Sequence, residues 1–407
     1  MKILHVLETS IPDLAGYTIR AKYIVENQKK HGINPVVVTS PFFKGGGLQT
    51  GKENINGITY FRTNHIRRPE KDMNKVASYL TRVKMLNMYK KAVLEIVQSE
   101  KPDIIHAHSS YTNGLAANYA SAKTRIPSIY ELRSLWGESA VVDEGLKPDS
   151  LKYRMIWRLE MKAIQNASGV IAISEGIKRE IVSRGIPGAK IDILPNGVDT
   201  GNFRPAEKDD ELLARFGLED HLVIGYIGSI RKLEGLKHLI KAFREINLRE
   251  PMTVLFIVGE GTEKNNLEVM SKELGLTGKV IFTGRVPHDE ILNYYSVIDV
   301  FVFPRINAKI NQAVTPLKPL EAMSMGKVCI GSNVGGLMEL ITDGYNGLLF
   351  ECENEDALVD KIMRLMKEPA LYEKLKANGM KWVREEREWK VLTPRYEEIY
   401  EKLISNQ

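Results

Sequence analysis

The sequence predicts an α/β protein of two doubly wound halves facing a central cleft, and three observations carry that expectation. Short β-branched runs alternate with longer helical patterns, the signature of parallel sheets built from βαβ units. The alternation stops at the polar stretch Arg204-Pro-Ala-Glu-Lys-Asp-Asp-Glu211 and then restarts. The 407 residues suffice for two domains of ordinary size. Ligands favour the carboxyl ends of parallel strands, so the cleft is where a site is expected.

Each element follows from its own pattern. Ile3 to Leu7 reads as the first strand, too short an apolar run for a secretory leader or a bilayer span. A helix from about Thr18 to His31 leads to a strand at Pro35 to Thr39, and Ile104 to Ala107 follows the turn Lys101-Pro-Asp. Ile126 to Tyr130 and Gly169 to Ile173 add strands around a helix from about Ser150 to Ala167, and this half ends near Ile191 to Gly197. The second half is predicted to hold strands at Leu222 to Ile227, Thr253 to Val258, Val280 to Phe282, Val300 to Phe303, Val328 to Gly331 and Gly347 to Phe350. Thr393-Pro394 reads as the cap and first position of a last helix reaching about Leu403. Trp382, Trp389 and Tyr396 recur every seven residues, so the tail is expected to pack back on the body. The expected domains are residues 1–200, 201–380 and, as a helix packing toward the first domain, 381–407.

Composition removes whole classes of function. The 57 Lys and Arg against 51 Asp and Glu leave a net charge of +6, too mild for a dedicated nucleic-acid binder. Hydrophobic residues at 43% and charged residues at 27% exclude disorder and a coiled-coil rod. Cys329 and Cys352 stand alone in apolar, strand-like contexts, which indicates neither a disulfide framework nor a thiolate-bound metal. The cytoplasm is the expected compartment.

The motifs that carry chemistry lie at strand ends. Only Gly16 follows the first strand, so the three-glycine dinucleotide turn is absent, and Gly259-Glu-Gly261 has Lys264 where a third glycine would stand. His106 and His108 flank Ala107 and point the same way in a period-two strand. His106 reads as a core hydrogen-bonding histidine and His108 as a residue of the cleft rim. No further ligands surround them in sequence, so no metal is expected. In the second half a helix begins near Pro319 with Glu321 in its first turn, where a carboxylate either complements the helix dipole or accepts both hydroxyls of a ribose. Arg305 and Lys318 border that loop, and with the helix start they suit a diphosphate. Gly335 and Gly336 open another strand-to-helix turn that offers backbone donors to an anion.

Pro319-Leu-Glu-Ala-Met323, Val334-Gly-Gly336 with Glu339, Asp343-Gly-Tyr-Asn-Gly-Leu-Leu349, Leu194-Pro-Asn-Gly-Val-Asp199 and Pro102-Asp-Ile-Ile-His-Ala-His108 resemble the retaining glycosyltransferases of family four. Tyr130-Glu-Leu-Arg-Ser-Leu-Trp136 and Thr315 to Met323 look most like its exopolysaccharide-type members. The resemblance implies a GT-B fold of two Rossmann-like domains. It implies a nucleotide sugar, most simply UDP-linked, held by the second half, and a glycan or lipid-linked acceptor held by the first, with no cofactor and no metal. By the same resemblance Glu321 and Leu320 belong to the donor site, Gly335, Gly336 and Gly16 lie near the diphosphate or sugar, and His108 lines the reacting centre. Arg133, Tyr130 and Gln312 are the candidates for acceptor or sugar contacts.

Two departures from the family pattern stand out. Ala313 replaces the glutamate expected eight positions before Glu321, with Gln312 or Asn311 as substitutes. Ser229 and Glu234 replace the arginine and lysine expected after the first strand of the second half, so Arg231, Lys232, Arg305 and Lys318 are the cations left to meet a diphosphate. No well-placed carboxylate pair accompanies His108, which favours front-face displacement over a glycosyl-enzyme. From Arg62 to Lys91, nine cations (Arg62, Arg67, Arg68, Lys71, Lys75, Arg82, Lys84, Lys90 and Lys91) interleave with apolar residues at helical spacing, either an ordinary solvated helix or a surface for anionic lipid. The rival readings are a sugar-nucleotide epimerase and a catalytically inactive GT-B partner subunit.

Overall fold

The computed structural model describes residues 1–13, 16–43, 51–63, 74–287 and 289–405. The chain forms two compact units: Met1–Gly137 with Leu146–Pro195 and Trp389–Gln407, and Glu138–Gly145 with Asn196–Glu388. The division therefore falls at Pro195/Asn196 and Glu388/Trp389, not at 200 and 380.

In chain order the first unit runs β1 (Lys2–Leu7), α1 (Gly16–Lys30), β2 (Asn34–Thr39), β3 (Gly51–Ile55), β4 (Ile58–Arg62), α2 (Lys75–Glu100), β5 (Ile104–His108), α3 (Tyr111–Thr124) and β6 (Ser128–Leu132). It continues through α4 (Trp136–Asp143), whose later residues count with the second unit, to α5 (Leu151–Asn166), β7 (Gly169–Ala172), α6 (Glu175–Ser183) and β8 (Ile191–Ile193). The strands form one sheet in the order β3-β4-β2-β1-β5-β6-β7-β8. All neighbours are parallel except β3 and β4, a hairpin closed by Asn56-Gly57, both at positive φ. That hairpin was not predicted: Gly51-Lys-Glu-Asn-Ile55 is too polar to read as a strand.

The second unit runs α7 (Asp210–Phe216), β9 (Leu222–Ile227), α8 (Leu236–Arg249), β10 (Thr253–Val258), α9 (Lys264–Glu273), β11 (Val280–Gly284), α10 (Ile291–Val297), β12 (Val300–Phe303), α11 (Lys309–Ala313) and α12 (Lys318–Ser324). Then come β13 (Val328–Ser332), α13 (Gly335–Met338), β14 (Leu348–Phe350), α14 (Glu355–Lys367) and α15 (Pro369–Glu386). Its sheet, β11-β10-β9-β12-β13-β14, is wholly parallel and reverses direction between β9 and β12. Helices cover both faces, which is why Thr253-Val-Leu-Phe-Ile-Val258 is buried throughout and apolar at every position after the first. Side-chain caps fix helix starts: Asp209 accepts from the Leu212 N–H, and Asn354 from that of Ala357. The fold is GT-B, two parallel-sheet α/β domains.

The last helix, α16 (Trp389–Ser405), belongs to the first unit. It begins at Trp389, so Thr393 and Pro394 lie inside it and do not restart it. Thr393 donates its hydroxyl back to the Trp389 carbonyl at 2.7 Å. Trp389, Tyr396 and Tyr400 are buried beside Ile3, Ile24 and Ile129, whereas Trp382 packs in the core of the second unit. The seven-residue recurrence is thus two packings, not one stripe.

Candidate functional site

Sheet register assembles the polar floor of the first unit. Parallel pairing places His5 of β1 opposite His106 of β5, and His108 of β5 opposite Glu131 of β6. Paired residues share a face, and so do residues two apart, so His5, His106, His108, Glu131 and, just past the strand, Arg133 gather on one face. This is where strand order reverses between β1 and β5, the crevice at which doubly wound sheets bind ligands. Sequence reading passed over His5, because a lone histidine in a first strand gives no sign of its partner a hundred residues away.

Glu131 is wholly buried and accepts from three groups. Arg133 Nε donates to its Oε1 at 2.7 Å, Arg20 Nε to the same oxygen at 3.1 Å, and the Tyr396 hydroxyl to Oε2 at 2.8 Å. Burial opposes its charge, yet the two guanidiniums hold the carboxyl well below the usual range. The three histidines go the other way. Burial first, then His106, lowers His5 to about 3, and burial lowers His106 and His108 as well, so all three are neutral.

A cavity of about 720 Å³ opens above this floor, within the first unit. Its polar end holds Glu8, Ser110, Thr112, His108 and Arg133. Ser110 and Thr112 each donate a hydroxyl to Glu8 Oε2 at 3.2 Å. Tyr79, Val83 and Leu86 from α2 and Met155 and Leu159 from α5 make an apolar wall, with Thr9, Asp13 and Arg82 also on the lining. Tyr17 and Trp136, stacked at 5.8 Å, line it as well, and Arg133 Nη1 donates to the Tyr17 carbonyl at 3.0 Å. Gly16, the first residue of α1, is exposed, with open space around the position a Cβ would take.

Two expectations need correction here. His108 lines the cavity but is only 1% exposed, and it is held from within: its Nε2 is 2.8 Å from His5 Nδ1, and its Nδ1 meets Arg133 Nη2. Tyr130 is no acceptor contact. Strand alternation turns it to the opposite face from Glu131, where it is fully buried and donates to Glu160 at 2.5 Å. The ring nitrogens of His5, His106 and His108 lie within 4.8 Å of one another, the spacing of a metal cluster. Two imidazoles on a tetrahedral zinc would hold their nitrogens about 3.3 Å apart. The 2.8 Å contact between His5 and His108 is instead a hydrogen bond.

In the second unit the predicted donor residues surround the reversal between β9 and β12. Gly235, at φ +68°, lets the loop after β9 approach Pro304 so closely that a Cβ would stand 2.0 Å from its carbonyl oxygen. Glu321 is buried and takes both of its bonds on Oε2, from the Tyr295 hydroxyl at 2.5 Å and Lys318 Nζ at 3.4 Å. Arg305 does not face solvent as a free cation: Nε and Nη2 each donate to Glu234 at 3.1 Å, and Nη1 to the Val314 carbonyl. Arg231 is paired with Asp143. Lys232 is exposed in the loop after β9.

The remaining predicted residues are placed less simply. Leu320 is fully buried in the core of this unit, so its side chain reaches no ligand. Gln312 caps the glycine turn, its Oε1 accepting from the Gly335 N–H at 2.8 Å. Gly336 is required by packing, since a Cβ there would lie 2.2 Å from the Val314 carbonyl oxygen. Asn311 is buried and donates to the Leu233 and Ile306 carbonyls, which makes it a loop tie.

Residues 209–382 match the family of glycosyl transferases group 1, and residues 15–197 match the glycosyl transferase 4-like domain. An uncharacterized glycosyltransferase of Methanocaldococcus jannaschii is 27% identical over 382 residues, 92% of this chain and 91% of its own length. The GDP-mannose-dependent alpha-(1-6)-phosphatidylinositol monomannoside mannosyltransferase of Mycolicibacterium smegmatis is 27% identical over 246 residues, 60% of this chain and 64% of its own. Among solved structures, Anabaena HepE in complex with UDP superposes with a TM-score of 0.76 at 18% identity, covering 99% of this chain and 100% of that one.

Proposed function

Since the chain is a GT-B glycosyltransferase with a 4-like first half and a group 1 second half, we propose that it moves a sugar from a UDP-linked donor to a lipid-linked or glycan acceptor, with retention of configuration and without a metal ion. The observation that carries the acceptor half of this reading is the cavity of the first unit. A polar end at Glu8, Ser110 and Thr112 suits sugar hydroxyls, and walls from Tyr79, Val83, Leu86, Met155 and Leu159 suit an apolar arm. The mannosyltransferase relative, named for a phosphatidylinositol mannoside, supports an acceptor of that amphiphilic kind.

For the donor, Glu321 has Oε1 left for ribose hydroxyls among the described residues, and Lys318 and Lys232 are the cations near enough to solvent to meet a diphosphate. The UDP held by HepE supports uridine, while the relative named for GDP-mannose makes guanosine the alternative to test. In front-face displacement the leaving diphosphate takes the acceptor's proton, and lysines and backbone donors stabilise its charge. A membrane-facing role for α2 belongs to the same reading: Tyr79, Leu80 and Val83 are exposed beside Arg82 and Lys84. Arg67, Arg68 and Lys71 of the basic segment lie outside the described residues, as does the side chain of Lys75.

Thermal-shift measurements with UDP, GDP and ADP, then their sugars, test the donor. A ligand at a hundred times its Kd stabilises the fold by about 2.7 kcal/mol. UDP is expected to raise Tm and GDP and ADP to leave it, and the product anomer by NMR tests retention. A second reading, a catalytically inactive partner subunit, is favoured by the Arg305–Glu234 pair, which cancels charge where a diphosphate would need it. Nucleotide binding without transfer to any acceptor would select it.

A further inference from the structure

The polar floor contains a chain of hydrogen bonds whose Arg133 end leaves no choice about direction. Arg133 can only donate, and Glu131, held as a carboxylate, can only accept. Arg133 Nη2 sits on His108 Nδ1, so that nitrogen is an acceptor and neutral His108 carries its proton on Nε2. His108 Nε2 then donates to His5 Nδ1 at 2.8 Å, which puts the His5 proton on Nε2, 2.8 Å from Gln28 Oε1. The Gln28 amide is thereby oriented with Nε2 toward the Tyr400 oxygen at 2.9 Å. Tyr400 has one proton left to give, and it goes to His106 Nδ1 at 2.7 Å. His106 Nε2 makes no hydrogen bond and stands 3.3 Å from Glu131 Oε2, so the chain ends at His106, while Arg133 Nε donates to Glu131 Oε1 at 2.7 Å.

We propose that Tyr400, on the C-terminal helix α16, is a positioning residue for the cavity floor: it fixes His106 as the Nε2–H tautomer and holds Gln28, which backs the His5–His108 pair that Arg133 orients. With Arg133 fixed as the donor, reversing a link between His108 and Gln28 sets donor against donor at the next, so the order runs one way. The other charged and titratable groups beside the chain, Arg20 of α1 and Tyr396 of α16, brace Glu131 and each other. His108 therefore accepts and orients at the floor, and the permanently charged Arg133 is the donor there. The functional part of this inference rests on the proposed transferase reading; the chain of hydrogen bonds itself does not.

The test uses the full chain with ¹⁵N-labelled histidine and long-range ¹H–¹⁵N correlation between about pH 5 and 8, with His5→Gln, His106→Gln and His108→Gln assigning the signals. Three neutral histidines protonated on Nε2, unchanged over that range, are expected. Tyr400→Phe is expected to mix the tautomers of His106 while His5 and His108 stay protonated on Nε2, and Tyr396→Phe, which loses a hydroxyl from the same helix outside the chain of bonds, is expected to leave all three as they were. An Nδ1-protonated or titrating histidine among the three in the unaltered protein, or a Tyr400→Phe spectrum identical to it, overturns this proposal. With UDP-glucose as the probe and water as the acceptor, read as release of UDP and glucose, Tyr400→Phe is expected to lower kcat about tenfold with KM within about twofold, and His108→Gln to retain more activity than His108→Ala. Equal loss in the glutamine and alanine variants would overturn the orienting role. A protein that does not turn over UDP-glucose counts against the donor reading and leaves the spectra to decide the order of the bonds.

Discussion

His5 and Glu160 pull stability in opposite directions with pH. His5 has an unfolded pKa near 6.5 and a folded value of about 3, so between these the unfolded chain binds the extra proton and stability falls as pH falls. At pH 5 this one residue costs about 2 kcal/mol, and His106 and His108, also lowered, add to it. Glu160, buried under Tyr130, is raised by that burial to about 7, so above its ordinary range the unfolded chain ionises first and stability falls as pH rises. The two effects share the window between about pH 4.5 and 7 and partly cancel there, so urea unfolding at pH 5, 6.5 and 8 reads their difference. Glu160→Gln should therefore tilt stability toward higher pH by roughly 2.5 kcal/mol between pH 5 and 8, and an unchanged slope would remove Glu160 from the account. At this scale the sequence singled out His108 and Arg133, which the structure brings together on the lining of one cavity. It failed on Tyr130 and His5 for one reason: which face a residue takes follows from alternation, but which residues share that face follows from register.

Elements with strong periodicity were legible almost to the residue, and β9, β10 and β12 fall where the β-branched runs predict. The β3–β4 hairpin and the interior Pro394 were not, since each depends on a neighbour: the hairpin on the edge of β2, the proline on a helix that starts five residues earlier. Helix α2 shows what a helix does when its unit leaves it uncovered. From Met85 onward it buries Met85, Tyr89, Val93 and Val97, while Tyr79 and Leu80 stand 58% and 59% exposed. Arg82→Ser and Lys84→Ser are each expected to weaken binding to phosphatidylglycerol vesicles about fivefold, at about 1 kcal/mol per charge. Co-sedimentation that ignores both substitutions, or survives high salt, would take α2 off the membrane. In the second unit, Gly336→Ala is expected to lower Tm as well as nucleotide affinity, because the Val314 carbonyl leaves no room for a methyl group. A variant of normal Tm that binds no UDP would instead make the glycine a ligand contact.

At the scale of the whole molecule, the first unit is built from separated stretches of chain and the second mostly from one. Residues 1–195 alone lack Trp389, Leu392, Tyr396 and Tyr400, four side chains buried against Ile3, Ile24 and Ile129. Circular dichroism and urea titration of that fragment should show no cooperative transition, and adding a peptide of residues 389–407 should restore one. A cooperative transition in the fragment alone would mean the sheet stands without its last helix.

The placement of α16 also sets an order in time. A ribosome delivers residues 196–388 before the helix that completes the first unit, so most of the second unit, begun later, is available to fold sooner. Until Tyr400 emerges, the histidines of β1 and β5 have neither their cover nor the hydroxyl that links Gln28 to His106. A nascent chain stalled short of that point exposes the apolar face of its first sheet, which is the surface a chaperone that shields nascent chains would meet.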